Sequence, residues 1–173
     1  MKRILLMRHA KSSREEAGLA DYDRPLNERG QKVAPRMGGY LRDAGLVPDR
    51  ILCSSARRTR ETLEQLWSEW ETLPNVAFED GLYTATAASL LERLHALSAD
   101  TGTVLVVGHN PAIQEAAVDL AGGGPPAAYG RMKAKFPTGA VAVLVLEGDS
   151  WAGVGRGRAD LERFVAPADL EPA

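Results

Sequence analysis

The stretch RILLMRHAKS, residues 3–12, carries the clearest fold signal in the chain. Residues 3–7 are a mostly apolar run, typical of a buried strand, and this run leads directly into Arg8 and His9. In an open α/β sheet, ligands bind at the carboxyl ends of the strands. The position of Arg8 and His9 therefore predicts that both belong to a ligand site.

The same arrangement recurs twice further along the chain. Residues 50–53 predict a second strand, followed by the sequence SSARR at the start of a helix, with Arg58 as its last residue. Residues 103–107 predict a third strand, followed by GHNP, which contains His109. Because the carboxyl ends of parallel strands meet at one edge of a sheet, we expect these polar residues to converge there.

Apolar residues at helical spacing separate the strands. They predict a first helix that Asn27 caps and Gly45 ends, with Gly30 and Pro35 interrupting its first turns. Further helices are predicted over 63–70, 90–97 and from Pro111 to a break at 122–126, and further strands over 76–78, 140–146 and 161–165. The alternation predicts an α/β fold over residues 1–173, a single domain built as a three-layer sandwich with a mainly parallel central sheet and helices on both faces.

Composition excludes several classes of protein. The 173 residues carry 21 Lys and Arg against 23 Asp and Glu, a net charge of −2, so we expect no nucleic-acid partner and no membrane partner. Cys53 is the only cysteine, which excludes an internal disulfide and a multi-cysteine zinc site. The longest apolar run, 140–146, is too short to span a bilayer, and the apolar residues 4–7 are too few for a secretion signal. We expect a cytoplasmic protein.

Two arginines and two histidines at strand ends indicate phosphoryl transfer. A phosphate monoester or phosphoramidate carries about −1.5 to −2 charges near neutral pH, and planar guanidinium groups bind pairs of its oxygens. A neutral imidazole can attack phosphorus and leave again. Arg8, His9, Arg58 and His109 would supply these groups from three segments of the chain.

Four segments together resemble a known family: LMRHAKS, DYDRPLNERG, SSARRTRET and VVGHNP. The first is similar to the RHG-type signature of the histidine phosphatase superfamily, whose fold is phosphoglycerate-mutase-like. The others look like the short branch of that superfamily, typified by SixA-type phosphohistidine phosphatases. The similarity covers about residues 2–120. It implies a histidine-phosphatase-like domain.

The resemblance also implies a role for each residue. His9 would be the nucleophile that becomes phosphorylated, and Arg8 would bind the phosphate. The family's catalytic arginine lies four residues after the first serine of SSARRTRET, which makes Arg58 its match. His109 would be the second histidine of the pocket.

Three further expectations concern the surroundings of this core. Lys11 and Ser12, next to the signature, are candidates for contacts to phosphate or substrate. The larger relatives protonate the leaving group with a carboxylic acid, and here FEDGLY offers Glu79 and Asp80, either as proton donors or as ordinary turn carboxylates. No metal or organic cofactor is implied.

The predicted function is the hydrolysis of phosphohistidine, or of another phosphorylated substrate, through a phospho-His9 intermediate. The partner would be a phosphorylated protein or a small phosphorylated metabolite. One alternative is a small-molecule phosphomonoesterase acting on sugar or nucleotide phosphates. Another is a phosphate-binding module without catalysis. A mutase is disfavoured because 173 residues leave little room for the segments that would hold a second acidic group.

Two other catalytic chemistries fit the residues less well. A cysteine-dependent phosphatase built on Cys53 would need an arginine at position 59, where the chain has Thr59. A metal hydrolase using His9 and His109 would need carboxylate ligands, and the neighbouring arginines would repel the cation.

Overall fold

The computed structural model describes residues 1–170 and contains seven strands and six α-helices in that range. The strands are β1 (Lys2–Arg8), β2 (Arg50–Ser54), β3 (Asn75–Glu79), β4 (Thr103–Gly108), β5 (Ala121–Gly123), β6 (Val141–Leu146) and β7 (Ala159–Val165). The helices are α1 (Glu28–Asp43), α2 (Arg57–Trp67), α3 (Asp80–Tyr83), α4 (Ala87–His95), α5 (Ala112–Leu120) and α6 (Pro126–Ala134).

All seven strands belong to one sheet, in the order β3-β2-β4-β1-β6-β7-β5. The half that contains β3, β2, β4 and β1 is parallel throughout. Beyond β1, strand β6 runs antiparallel to β1 and β7 runs antiparallel to β6, while the short edge strand β5 is parallel to β7. The mainly parallel sheet predicted from the sequence is confirmed.

The side chains of β1 alternate between two hydrophobic cores, one on each face of the sheet. Leu5 and Met7 pack in the core that α1 and α2 cover, whereas Ile4 and Leu6 pack in the core that α4, α5 and α6 cover. All four side chains are fully buried, as expected for a central strand of a sheet with helices on both sides. This confirms the three-layer α/β sandwich.

Helix α1 is continuous, so the predicted interruption at Gly30 and Pro35 is wrong. A Cβ atom at Gly30 would lie 2.2 Å from the carbonyl oxygen of Lys11, so this glycine permits a close backbone contact rather than breaking the helix. The buried face of α1 packs against α2 and offsets the hydrogen bond that Pro35 cannot donate. The predicted cap is confirmed, because the Asn27 side chain accepts from the Gly30 amide at 2.9 Å.

Several boundaries differ from the sequence prediction. Helix α2 ends at Trp67, and Trp70 lies in the following turn, where its indole N–H donates to the Gly38 carbonyl at 3.0 Å. The helix that follows Pro111 ends at Leu120, before the predicted break at 122–126, and that stretch contains the end of β5 and the start of α6. Among residues 1–170, no helix has both the length and the apolar character needed to cross a membrane.

Candidate active site

The register of the parallel ladder places two predicted site residues side by side. In the β1–β4 ladder Arg8 pairs with Gly108, so His9 and His109 each follow the last paired residue. The centroids of the two imidazole rings are 5.3 Å apart. Arg58 reaches the same edge of the sheet from the first turn of α2, which follows β2.

These four residues line a single cavity of about 410 Å³. The structure therefore brings together Arg8, His9, Arg58 and His109, although they come from three separate segments of the chain. The rest of the wall comes largely from the segment between β1 and α1, where Lys11, Arg14 and Arg24 add positive charge and Glu15 and Asp21 add negative charge. Such a cavity suits a small, strongly anionic group.

The His9 ring is held in one orientation by the backbone. The side chain is 7% exposed, and its Nδ1 lies 2.7 Å from the carbonyl oxygen of Ala10. A carbonyl oxygen only accepts hydrogen bonds, so Nδ1 carries the proton and donates to it. The lone pair of the neutral ring is thus on Nε2, the atom available to attack an electrophile.

Both imidazoles are neutral at neutral pH. Burial is the largest effect on His9 and, together with the positive charges of Arg58 and Arg8, lowers its pKa to about 3. Burial, followed by the charge of Arg58, lowers the pKa of His109 to about 4. A neutral imidazole is the form that acts as a nucleophile.

The two arginines are fixed by backbone and carboxylate partners. Arg8 donates from Nη1 to the carbonyl oxygen of Phe136 at 3.1 Å. Arg58 donates from Nη1 to the carbonyl oxygen of Asp21 at 2.7 Å, and its Nη2 lies 3.1 Å from the Asp21 carboxylate. Burial, and then the charge of Arg58, lowers the pKa of Arg8.

Three buried nitrogens of residues that line this cavity have no hydrogen-bond partner among the described residues. They are Nε of Arg8, Nε of Arg58 and Nδ1 of His109. Buried polar groups are nearly always hydrogen-bonded in folded proteins, so three exceptions in one cavity need an explanation. All three belong to side chains that line the cavity, and the acceptor oxygens of a phosphoryl group have the chemistry that such donors require.

Asp21 is a residue of this site that the sequence analysis missed. It lies in the 3₁₀ turn Asp21–Asp23 and, besides Arg58, it binds Arg24 Nη1 at 2.8 Å and the Tyr83 hydroxyl at 2.6 Å. The Tyr83 hydrogen bond is the main reason that the pKa of Asp21 lies well below its usual range. The segment DYDRPLNERG contains Asp21, but no periodicity in that segment assigns it a role.

Ser54 was also missed as a side chain with a part in the site. It is the last residue of β2, is fully buried, and places its Oγ 2.8 Å from Nε2 of His109. Two sequence signals were available, its position directly after an apolar run and its place as the first serine of SSARRTRET.

The other predicted residues are divided between the cavity and its surroundings. Lys11 and Ser12 line the cavity, and Ser12 accepts a hydrogen bond from Arg24. Glu79 and Asp80 do not line it. The carboxylate of Glu79 is held by both Nε and Nη2 of Arg93, and that of Asp80 accepts from the hydroxyl of Ser55.

Cys53 lies in the core behind the site. Its side chain is fully buried, its thiol contacts the carbonyl oxygen of Ser54, and burial raises the pKa of the thiol. A buried thiol of this kind is unreactive. Within residues 1–170, no group of three or more His, Cys, Asp and Glu side chains is arranged to hold a metal ion.

Known proteins resemble the chain in sequence and in structure. Residues 4–83 match the model of the histidine phosphatase superfamily (branch 1). Rv1276c of Mycobacterium tuberculosis, an uncharacterised protein, is 38% identical over 163 residues, which are 93% of this chain and 99% of the relative. The structure of a "putative phosphohistidine phosphatase SixA" from Nakamurella multipartitia has a TM-score of 0.83 at 32% identity, over 96% of each chain.

A further structure, of the protein histidine phosphatase SixA complexed with tungstate, shares the fold with a TM-score of 0.79. At 22% identity, it covers 98% of this chain and 99% of that one. The sequence match, the shared fold and the convergence of His9, Arg8, Arg58 and His109 agree with one another. The chain belongs to the histidine phosphatase superfamily.

Proposed function

We propose that this protein hydrolyses phosphohistidine on a partner protein through a covalent phospho-His9 intermediate. The observation that carries the proposal is the set of three partnerless nitrogens beside a neutral His9. Guanidinium groups bind phosphoryl oxygens in pairs, and groups fixed in advance around the developing charge supply much of the catalysis in phosphoryl transfer.

The reaction would proceed in two displacements. Nε2 of His9 attacks phosphorus as the P–N bond to the substrate histidine breaks. The substrate ring, already protonated on its other nitrogen, leaves as a neutral imidazole, so no further proton is needed. Arg8, Arg58 and His109 bind the non-bridging oxygens. Water then attacks phospho-His9, breaks the new P–N bond, and releases inorganic phosphate and neutral His9.

The basicity of the leaving group favours phosphohistidine, rather than an alkyl phosphate ester, as the substrate. An imidazole needs less help from a proton donor than an alkoxide does, because it is a much weaker base. Neither Glu79 nor Asp80 lines the cavity, and Asp21 is held in its ionised form by Tyr83, Arg24 and Arg58. Glu15 also lines the cavity, so these placements support a substrate that is cleaved without a proton from Glu79, Asp80 or Asp21.

A small-molecule phosphomonoesterase is the second candidate. The observation in its favour is the positive charge that Lys11, Arg14 and Arg24 add to the cavity wall. These side chains would suit the second anionic group of a compact sugar or nucleotide phosphate.

We also propose that the reaction needs no metal or organic cofactor, because the cavity's own guanidinium groups supply the positive charge. Activity should then be unchanged by prolonged treatment with a chelator, whereas a loss of activity that zinc or manganese restores would contradict this proposal.

The single sheet from Lys2 to Val165 supports one domain over residues 1–173. The lone Cys53 supports a reducing cytoplasm as its location.

The test is a direct comparison of substrates. A histidine-containing phosphotransfer protein, phosphorylated chemically with phosphoramidate, would be compared with glycerol phosphate, sugar phosphates and nucleotides. We expect the phosphorylated protein to be hydrolysed with the highest kcat/KM. Rapid quenching should trap an acid-labile, alkali-stable phosphoryl group on the enzyme that is absent from His9→Ala. Preferential turnover of a small ester would favour the second candidate instead.

A further inference from the structure

The hydroxyl of Ser54 has two hydrogen-bond contacts among the described residues. The amide N–H of Ala56 donates to Oγ at 3.3 Å, and Nε2 of His109 lies 2.8 Å from the same oxygen. The first contact uses a lone pair of the hydroxyl. The hydroxyl proton therefore has one acceptor within reach, which is the lone pair of Nε2.

The two neutral tautomers of His109 fit these surroundings unequally. With the proton on Nε2, the serine would accept two hydrogen bonds and its own buried proton would have no acceptor, an arrangement that costs free energy. Nδ1 would then present a bare lone pair towards the oxygens of an anion. With the proton on Nδ1, Ser54 donates to Nε2 and the ring offers an N–H.

We propose that Ser54 is a positioning residue that holds neutral His109 in the tautomer protonated on Nδ1. A relay of donors then runs from the Ala56 amide through the Ser54 hydroxyl to His109, and ends at Nδ1, the nitrogen that has no partner within residues 1–170. The catalytic consequence rests on the proposed phosphatase function, in which this N–H binds a phosphoryl oxygen.

Because burial keeps His109 uncharged, the position of its single N–H proton, rather than its charge, determines whether Nδ1 can donate a hydrogen bond. The imidazole of His109 is mostly buried next to Arg58, which keeps the ring uncharged at pH 7. An uncharged imidazole has a single N–H, and one neighbouring hydroxyl can decide which nitrogen carries it. The His9 ring is fixed by a separate contact, to the Ala10 carbonyl, so the two histidines can be perturbed independently.

The test is nuclear magnetic resonance of protein labelled with ¹⁵N-histidine, at pH 7 and without substrate. Long-range ¹H–¹⁵N correlations distinguish the protonated from the unprotonated ring nitrogen, and the His109 signals are those missing from His109→Gln. We expect wild-type His109 to show a protonated Nδ1 and an unprotonated Nε2. In Ser54→Ala we expect a shift towards protonated Nε2, and Ser54→Thr, which keeps the hydroxyl, should restore the wild-type pattern.

Activity provides the second readout. Ser54→Ala should lower kcat about tenfold, the scale of one hydrogen bond, with a smaller change in KM. The matched control is Ser55→Ala, because the neighbouring Ser55 hydroxyl binds Asp80 instead of a histidine, and its kcat should stay within about twofold of wild type.

The outcomes separate this inference from the proposed function. Protonated Nε2 in the wild-type spectrum would overturn the positioning role, and this spectrum can be recorded even if Ser54→Ala does not fold. A folded Ser54→Ala with the wild-type tautomer would overturn it as well. If no phosphorylated substrate is turned over but His109 has the expected tautomer, the proposed function fails and the positioning role stands.

Discussion

At His9, burial and positive neighbours act in the same direction. Both disfavour a proton on the imidazole, so the ring is uncharged at pH 7, the state that the proposed nucleophilic role requires. The carbonyl of Ala10 then determines which nitrogen keeps the lone pair. The same two arginines whose positive charge disfavours a proton on His9 attract an anion that binds in the cavity.

Replacing His9 by alanine should abolish turnover, because the substitution deletes the attacking atom. Steady-state hydrolysis of phosphohistidine protein and of p-nitrophenyl phosphate measures the effect, and we expect both rates to fall to background. His95→Ala, which changes an exposed histidine at the end of α4, is the control and should keep wild-type kinetics. Substantial turnover by His9→Ala would rule out the covalent route.

Arg58→Ala should lower kcat/KM by about 10³-fold, as expected for the loss of a guanidinium that stabilises a phosphoryl transition state. Arg58→Lys should restore only part of this, since lysine lacks the planar fork. Arg57 offers a matched control one residue away, because it is exposed and pairs with Glu61 at 2.9 Å. Equal losses in Arg57→Ala and Arg58→Ala would contradict the assignment.

The residues of the site that were predictable from the sequence are those that follow strands. Arg8, His9 and His109 stand at the ends of apolar runs, and Arg58 was reached through a motif. Ser54 also follows a predicted strand, but its role, like that of Asp21, depends on a contact between distant segments that the sequence does not show. Asp21 meets Arg58 across 37 positions in the sequence, and Ser54 meets His109 across 55.

At the scale of secondary-structure elements, the close contact between helices α1 and α2 depends on Gly38, whose role the helical periodicity of the sequence does not indicate. A Cβ atom at Gly38 would lie 2.4 Å from the carbonyl oxygen of Leu66, which is backbone of α2 and cannot move alone. The absence of a side chain therefore sets how closely the two helices approach. Trp70 reinforces the contact through its hydrogen bond to Gly38.

Gly38→Ala should destabilise the protein by about 1–3 kcal/mol, because the added methyl group forces the two helices apart. The control is the next residue, Gly39, where the nearest atom to an added Cβ is 3.6 Å away, at the end of the Arg42 side chain. Gly39→Ala should instead stabilise the helix by up to about 1 kcal/mol. Urea unfolding of both variants gives the comparison, and a Gly38→Ala protein as stable as wild type would refute the close-contact argument.

The elements that sequence analysis missed lack an apolar pattern. Helix α6 buries only Met132, so no apolar stripe indicates a helix there. Strand β5 is three residues long and two of them are glycine, which is typical of turns. The strands β1, β4 and β6 were predictable because both of their faces are buried, so each contains a continuous run of at least four apolar residues.

For the whole molecule, the two buried histidines make stability depend on pH. Their pKa values in the folded state, about 3 and about 4, lie below the ordinary value of 6.5. The unfolded chain therefore binds more protons between these values and 6.5, and stability falls as the pH is lowered through that window. Above pH 6.5 both states are neutral at these positions, and this contribution is constant.

Urea midpoints measured between pH 7 and pH 4 should show this loss, which we expect to be several kcal/mol at the acidic end. In the double variant His9→Asn and His109→Asn the slope should be clearly smaller, whereas His95→Ala, whose ring is exposed, should keep the wild-type slope. An unchanged slope in the double variant would assign the acid sensitivity to other groups.

The pairing of Arg8 with Gly108 has a consequence for how this protein can change over evolution. Inserting or deleting one residue in either strand would offset the two rings by about 3.3 Å along the ladder and turn one of them to the opposite face. The distance between the imidazoles is thus protected by the same sheet that forms the core. New specificities would have to arise in the segment between β1 and α1, which can be remodelled while the spacing of the reactive groups is preserved.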